Sequence, residues 1–107
     1  MNETTKITTI TITPPTVARI HVWHSDPGHA WLQVTLSQLA DVGLGPLSFS
    51  VYSYSRNGVC YLEEDCDAPK YLDAYRLVMG EAPKTRERYY DNDAPIRGYG
   101  CIYNSEG

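Results

Sequence analysis

The sequence is poor in cysteine and histidine, and it has no long apolar run. Its cysteines are odd in number and form no CxxC pair, which argues against a disulfide framework and a cysteine-rich zinc site; they are Cys60, Cys66 and Cys101. All three histidines precede residue 30, so we expect no bound metal and no cofactor. No apolar stretch approaches ~20 residues and no signal peptide is visible, which predicts a cytoplasmic protein without a membrane segment.

Basic residues are outnumbered by acidic ones. Nine Lys and Arg stand against thirteen Asp and Glu, a formal net charge of −4. Nonspecific nucleic-acid binding needs a basic face, so we expect no direct contact with nucleic acid. The acidic balance favours a protein partner with a basic surface. The length of 107 residues predicts a single domain over 1–107.

Two short alternating runs flank Asn57-Gly58, the strongest local signal in the chain. This dipeptide accepts positive φ at both central positions of a type I′ turn, so it predicts a two-residue hairpin loop. In that register the facing pairs are Arg56 with Val59, Tyr54 with Tyr61, and Tyr52 with Glu63. One face of the hairpin is then aromatic and acidic, whereas the other, with Val51 and Leu62, faces the core.

Alternating β-branched and apolar residues predict further strands outside this hairpin. The expected strands span 17–24, 29–34, 85–90 and 96–103, and residues 1–15 form a Thr-rich N-terminal strand or a partly disordered extension. A turn at 25–28 joins the first two of these strands, and a turn at 92–95 joins the last two into a second hairpin.

Two segments have helical patterns. A short helix begins at a Thr35 or Ser37 cap. A longer helix is capped by Asp67 and buries an apolar stripe that includes Leu72 and Val78. Together with the strands, these helices predict an α+β domain: a single antiparallel sheet of hairpins with two helices packed on one face.

The first candidate site is the aromatic and acidic face of the central hairpin. Tyrosines are enriched at interface hot spots, and carboxylates beside them favour a basic partner. The predicted partner-binding residues are Tyr52, Tyr54, Tyr61, Glu63 and Asp65. No complete catalytic set accompanies them, so we expect no catalytic residue and a protein that is not an enzyme.

The second candidate site surrounds the first turn. It would bind a small ligand or a nucleotide through Trp23, His24, Asp26, His29 and Trp31. If the turn is tight, His24 and His29 face each other across it. With a carboxylate, this pair could serve a small hydrolase, with or without a metal.

Two stretches in this region resemble enzyme families. Asp26-Pro27-Gly28-His29 resembles the start of zinc amidases that cleave N-acetylmuramoyl-L-alanine bonds, but no histidine follows to complete their ligand set. Residues 28–34 resemble the histidine strand of transglutaminase-like cysteine peptidases, in which the nucleophilic cysteine precedes the histidine. Here every cysteine follows it, and Cys66 is the only one near a predicted helix start, where the dipole would lower its pKa.

A longer resemblance spans about residues 17–100. The segments 25–32 and 61–68 are similar to small uncharacterised proteins carried by bacteria, their plasmids and their phages. This resemblance implies a cytoplasmic protein of a mobile element and brings no known activity. The leading hypothesis is therefore a non-enzymatic, acidic protein-binding module, and within it an inhibitor of a host defence system of the anti-CRISPR kind.

Overall fold

A computed structural model describes residues 20–104 of the chain. The Thr-rich segment 1–15, for which the sequence predicts a strand or an extension, lies outside the described residues. The strands are β1 His21–Ser25, β2 Ala30–Thr35, β3 Tyr54–Arg56, β4 Val59–Glu63, β5 Thr85–Tyr89 and β6 Gly100–Cys101. The helices are α1 Leu36–Asp41 and α2 Ala68–Met79, and short 3₁₀ turns lie at Pro46–Ser48, Pro95–Gly98 and Ile102–Asn104.

The six strands form one sheet in the order β5-β1-β2-β4-β3-β6. The α+β class predicted from the sequence is confirmed, but the sheet is mixed and not purely antiparallel. Strands β1 and β5 run parallel, with His21 opposite Thr85 and Ser25 opposite Tyr89. The connection through α2 carries the chain back so that β5 enters alongside β1, as a crossover between parallel strands requires.

The predicted second hairpin, 85–90 with 96–103, is wrong. Its first arm is β5 at one edge of the sheet, and its second arm contributes β6, which pairs with β3 at the opposite edge. Between them Pro95–Gly98 forms a 3₁₀ turn that buries Ile96 beside Trp31. Because residues 95–98 form this turn and bury Ile96, they are not available to extend the second arm as a strand.

The central hairpin follows the predicted register through its loop. Tyr54 lies opposite Tyr61, and Arg56 lies opposite Val59. Both loop residues have positive φ, 53° for Asn57 and 80° for Gly58. The predicted register ends at Tyr54, however, because β3 begins only at that residue. The predicted pairing of Tyr52 with Glu63 is therefore not formed.

Replacing Gly58 with Ala is expected to cost about 1–2 kcal/mol of unfolding free energy, because a Cβ is strained at this positive φ. Gly45→Ala is the matched control: a Cβ meets nothing within 4 Å at either position, and Gly45 has an extended φ of −146°. Urea denaturation should give a change below about 0.5 kcal/mol for Gly45→Ala. Equal costs for the two variants would contradict the strained turn.

The main hydrophobic cluster joins one face of the sheet to residues of both helices. From the sheet it contains Leu32, Val34, Cys60 and Leu62, and from the helices Leu39, Ala68, Tyr71 and Tyr75. Two residues predicted to be in the core are instead exposed, Val51 at 59% and Val78 at 56%. Leu72 is partly buried against the cluster.

Hydrogen bonds to Asp67 account for the exposed position of Val51. The sequence predicts Asp67 as the side-chain cap of α2, and it does occupy the position before the helix, but its carboxylate makes no capping bond. It accepts hydrogen bonds from the Ser50 amide at 3.0 Å, from the Ser50 hydroxyl at 2.7 Å and from the Ser53 hydroxyl. These bonds tie the segment before β3 to the start of α2 and turn Val51 toward solvent.

The opposite face of the sheet carries a second cluster. Trp31, Ala94 and Ile96 are buried there, and Tyr54, Tyr61, Tyr90 and Tyr99 pack against them. The segment around residues 94–99 therefore covers part of the face that the sequence leaves open, and the remainder of that face forms the candidate site. Among residues 20–104, no helix has the length and apolar character needed to cross a membrane.

Candidate functional site

The two candidate sites predicted from the sequence meet in one open pocket of about 400 Å³. It is lined by His29, Trp31, Tyr52, Tyr54, Glu63, Asp65, Cys66 and Arg97. Four of these residues belong to the predicted partner-binding set, and His29 and Trp31 belong to the predicted ligand set. The structure therefore brings residues of both predicted sets into the lining of one pocket.

Pairing between β2 and β4 brings the two sets together. Trp31 lies directly opposite Glu63, and on the other side of β4 Tyr61 pairs with Tyr54. The ring centroids of Trp31 and Tyr54 lie 6.2 Å apart in an edge-to-face arrangement, and those of His29 and Trp31 lie 5.9 Å apart. The pocket thus has contiguous aromatic walls, which are suited to contact a flat or cationic group.

Glu63 is the buried carboxylate of the pocket, with 6% of its surface exposed. Its Oε1 accepts hydrogen bonds from the backbone amides of Asp65 at 3.0 Å and Cys66 at 2.8 Å, which hold the tight turn between β4 and α2. Its Oε2 faces His29, whose Nδ1 is 3.7 Å away. One oxygen is therefore fixed by the backbone, and the other remains directed toward the imidazole.

Arg97 enters the pocket wall already paired with a carboxylate. Its guanidinium lies over the Trp31 ring, 5.2 Å from the centroid. It donates Nε to Asp26 Oδ2 at 2.7 Å and Nη2 to Asp26 Oδ1 at 2.9 Å. The pair holds the pKa of Asp26 well below its usual range, first through the hydrogen bond from Arg97 and then through backbone amides, against the opposing effect of burial.

Asp26 belongs to the predicted ligand set, but its place in the structure is behind the pocket. Its carboxylate also accepts from the backbone amides of Gly28 and His29, which form the predicted turn, and from the amide of Ala94. It thereby fastens the first turn to the segment that carries Arg97. The sequence does not identify Arg97 as a site residue. The only signal for it would be that Asp26, if buried, needs a cationic partner.

Three other predicted residues lie outside the pocket. Tyr61 is half-buried, with ring centroids 5.1 Å from Tyr99 and 5.6 Å from His24, and burial is the main cause that raises its pKa. Trp23 packs against the main hydrophobic cluster on the other face. His24 shares hydrogen bonds with the Tyr90 hydroxyl at 2.9 Å and with Gln33 Oε1 at 2.6 Å.

The predicted pairing of His24 with His29 is therefore not formed. Strand pairing sets His24 opposite Trp31, and both of its ring nitrogens already have partners, whereas His29 follows the turn and faces Glu63. Within the described part of the chain, the group of side chains that could hold a metal ion is His29, Glu63 and Glu64.

Cys66 is exposed at the pocket, whereas Cys60 is buried in the core. The sequence places Cys66 near a helix start that would lower its pKa, but the structure indicates the reverse. Local desolvation, and then the hydrogen bond with and negative charge of Glu63, raise the pKa of the Cys66 thiol. A thiol held in its protonated form is a weak nucleophile at neutral pH, which argues against Cys66 as the nucleophile of a transglutaminase-like cysteine peptidase.

Alkylation should therefore modify Cys66 before Cys60, but more slowly at pH 7 than it modifies free glutathione. The rate should rise only above the ordinary pKa of a thiol, since the raised pKa keeps the thiolate scarce below it. Mass spectrometry of the iodoacetamide-treated native protein measures both effects, with Cys66→Ser as the control for site assignment. Faster reaction than glutathione at pH 7 would show an activated cysteine and contradict this account.

Comparison with protein-family models, with curated proteins and with solved structures gives no match for this chain.

Proposed function

We propose that this chain is a non-enzymatic, acidic protein-binding module whose pocket receives a basic side chain of its partner. The observation that carries the proposal is the composition of the pocket, in which three aromatic side chains stand beside two carboxylates: Trp31, Tyr52, Tyr54, Glu63 and Asp65. Because Arg97 already lies over the Trp31 ring, Tyr52 and Tyr54 are the rings that would attract a further cation through the ring quadrupole, and desolvation at a protein interface strengthens this attraction.

The charge around the pocket favours a cation in spite of Arg97. Three carboxylates, those of Glu63, Asp65 and Asp26, stand against the one guanidinium, which leaves a formal excess of two negative charges. Because the Asp26 carboxylate forms a bidentate ion pair with Arg97, the guanidinium contributes little repulsion to an incoming ammonium or guanidinium group. Acidic residues at the pocket rim would also speed the approach of a basic partner.

The indole of Trp31 bears on how a partner would bind. Its Nε1–H is buried and has no hydrogen-bond acceptor among residues 20–104. A buried donor without an acceptor lowers stability. Because this atom is closed off from solvent, a partner carbonyl would bond it only if the pocket wall moved on binding.

The resemblance to proteins of mobile elements adds a narrower hypothesis about the partner. A protein of a phage or plasmid that inhibits a host defence system would bind a basic surface that normally contacts nucleic acid. Small size and a net charge of −4 are compatible with that role. The cytoplasmic location of the chain belongs to the same hypothesis.

A second candidate function is the binding of a small molecule or nucleotide in the same pocket. Its volume of about 400 Å³ lies in the range of small-molecule sites. The hydrolase alternative is less favoured, because both ring nitrogens of His24 are engaged and the pKa of Cys66 is raised.

The test is a set of three labelled peptides of equal length that differ only in a central Arg, Lys or Gln. Fluorescence anisotropy at low salt should give at least tenfold tighter binding for the Arg and Lys peptides than for the Gln peptide, and 0.5 M NaCl should weaken it. Equal binding of the Gln peptide would favour the small neutral-ligand alternative. No binding of any peptide at millimolar concentration would contradict a basic ligand.

A further inference from the structure

We infer that His29, Glu63 and Glu64 form a site for one divalent transition-metal cation beside the aromatic pocket, and Zn²⁺ is the probe that we choose for it. The site would exist with or without a protein partner, but His29 and Glu63 also line the pocket, so a bound cation and a basic side chain would compete for Glu63. The inference replaces the expectation of no metal, which considered His24 together with His29 and found no complete ligand set along the sequence.

The three side chains converge although they come from two different segments of the chain. One ligand atom of each lies within 4.8 Å of the ligand atoms of the other two. His29 directly precedes β2, Glu63 is the last residue of β4, and Glu64 follows it. Because β4 pairs with β2 with Trp31 opposite Glu63, these chain segments lie side by side. The amide of Glu64 donates to the Ala30 carbonyl at 3.0 Å and fixes that proximity.

The observed distances are close to those that a bound ion requires. Zinc bonds of about 2.0–2.2 Å to nitrogen and oxygen place tetrahedral ligand atoms roughly 3.3–3.6 Å apart. His29 Nδ1 and Glu63 Oε2 are 3.7 Å apart, so this pair is nearly in position before any ion binds. The ligand atoms of the whole set lie within 4.8 Å of one another, so modest rotations of the half-buried Glu64 and exposed His29 side chains would close it.

Glu63 gives the site a fixed first ligand. Its carboxylate is buried, and Oε1 is held by the amides of Asp65 and Cys66. Oε2 is oriented by those two bonds and can take a metal bond without losing a backbone contact. Such outer hydrogen bonds to a ligating carboxylate are what orients the ligands of metal sites.

The charge and the ligand types agree with this class of cation. Two adjacent carboxylates, one buried and one half-buried, repel each other, and a divalent ion would remove that repulsion. One imidazole and two carboxylates suit Zn²⁺ or Mn²⁺ better than Ca²⁺, which prefers six or more oxygen ligands. Three protein ligands would leave positions that open to the pocket, where solvent or a ligand group could bind.

The experiment is calorimetric titration of ZnCl₂ into untagged protein that has been treated with EDTA. The wild-type chain should bind one equivalent, and His29→Ala and Glu64→Gln should each weaken binding at least tenfold. Both substituted residues are partly or fully exposed, so circular dichroism should be unchanged in the two variants. Asp73→Asn is the control, because it removes one exposed acidic charge outside the pocket lining.

Three outcomes would overturn the inference. The first is the absence of saturable Zn²⁺ binding up to 1 mM. The second is affinity within threefold of the wild type in both His29→Ala and Glu64→Gln. The third is an equal loss in Asp73→Asn, which would indicate diffuse acidic attraction instead of the proposed site. The titration contains no peptide, because a basic side chain and the cation would compete for Glu63, so failure of peptide binding and failure of the cation site are separate results.

Discussion

Replacing Asp26 with Asn is expected to lower the free energy of unfolding by at least about 3 kcal/mol. The carboxylate accepts five hydrogen bonds, two from Arg97 and one each from the amides of Gly28, His29 and Ala94. An asparagine would turn an N–H donor toward these donors and would leave the Arg97 charge without its partner. Urea denaturation at pH 7 measures the loss.

The same bonds predict how stability changes with pH. Because the folded-state pKa of Asp26 is lowered, its contribution is present above the unfolded value of about 3.9 and is lost as pH falls below that value toward the folded pKa. The Asn variant should therefore lose less stability than the wild type between about pH 5 and pH 2.

Asp73→Asn is the matched control for Asp26→Asn. Asp73 also pairs with an arginine, Arg76 at 3.0 Å, but 78% of its side chain is exposed, so the change should stay below about 0.5 kcal/mol. A loss below about 1 kcal/mol for Asp26→Asn would contradict the role assigned to this carboxylate. The same holds for a pH profile identical to that of the wild type.

The double variant Tyr52→Ala, Tyr54→Ala is expected to weaken binding of the Arg peptide, measured by fluorescence anisotropy, by at least ~100-fold, which is about 2.7 kcal/mol. Both side chains line the pocket, and both bury aromatic surface when a partner enters. Tyr61, which the sequence groups with them, is half-buried against Tyr99 and His24, so its removal would test the sheet and not the site.

Tyr89→Ala is the control for the tyrosine variant. Tyr89 is 57% exposed, close to the 62% of Tyr52, but it lies on the edge strand β5 away from the pocket. Its removal should leave affinity within threefold of the wild type. Equal losses of affinity in the two variants would mean that any exposed tyrosine contributes to binding, whatever its position. Affinity within threefold of the wild type in the double variant would mean that Tyr52 and Tyr54 only stabilise the sheet.

The elements that could be predicted from the sequence are those determined by local chemistry. Asn57-Gly58 adopts the positive φ values of a type I′ turn, and the pairs nearest the loop follow from it. Thr35 caps α1 through the Gln38 amide, and Gly80 ends α2 in the left-handed conformation. In each case the deciding residues are only a few positions apart.

The elements that could not be predicted depend on distant contacts. The parallel pairing of β1 with β5 joins residues about 64 positions apart, and alternation in Thr85–Tyr89 carries no sign of strand direction. Val51 fits the alternation of a core position, but Ser50 is bonded to Asp67 and β3 begins only at Tyr54, so Val51 is not part of the strand. A polar contact across the fold outweighed a local pattern.

The site was predicted in two halves for the same reason. His29 and Trp31 were grouped with the first turn, and Tyr54 and Glu63 with the central hairpin, because each group is local in sequence. The register of β2 on β4, which puts Trp31 opposite Glu63, is what merges them. Arg97 lies 71 positions from its partner Asp26 and could only be found from the fold.

The central claim, one pocket formed by both hairpins for a basic ligand, is tested most directly by two-dimensional NMR of ¹⁵N-labelled protein titrated with the Arg peptide. The chain has two indole N–H signals: Trp31 lines the pocket, and Trp23 packs against the core on the other face. Binding should shift the Trp31 indole signal together with backbone amides around residues 29, 54 and 63–66, and should leave the Trp23 indole unchanged. Saturable binding that shifts Trp23 and leaves Trp31 unmoved would contradict the account.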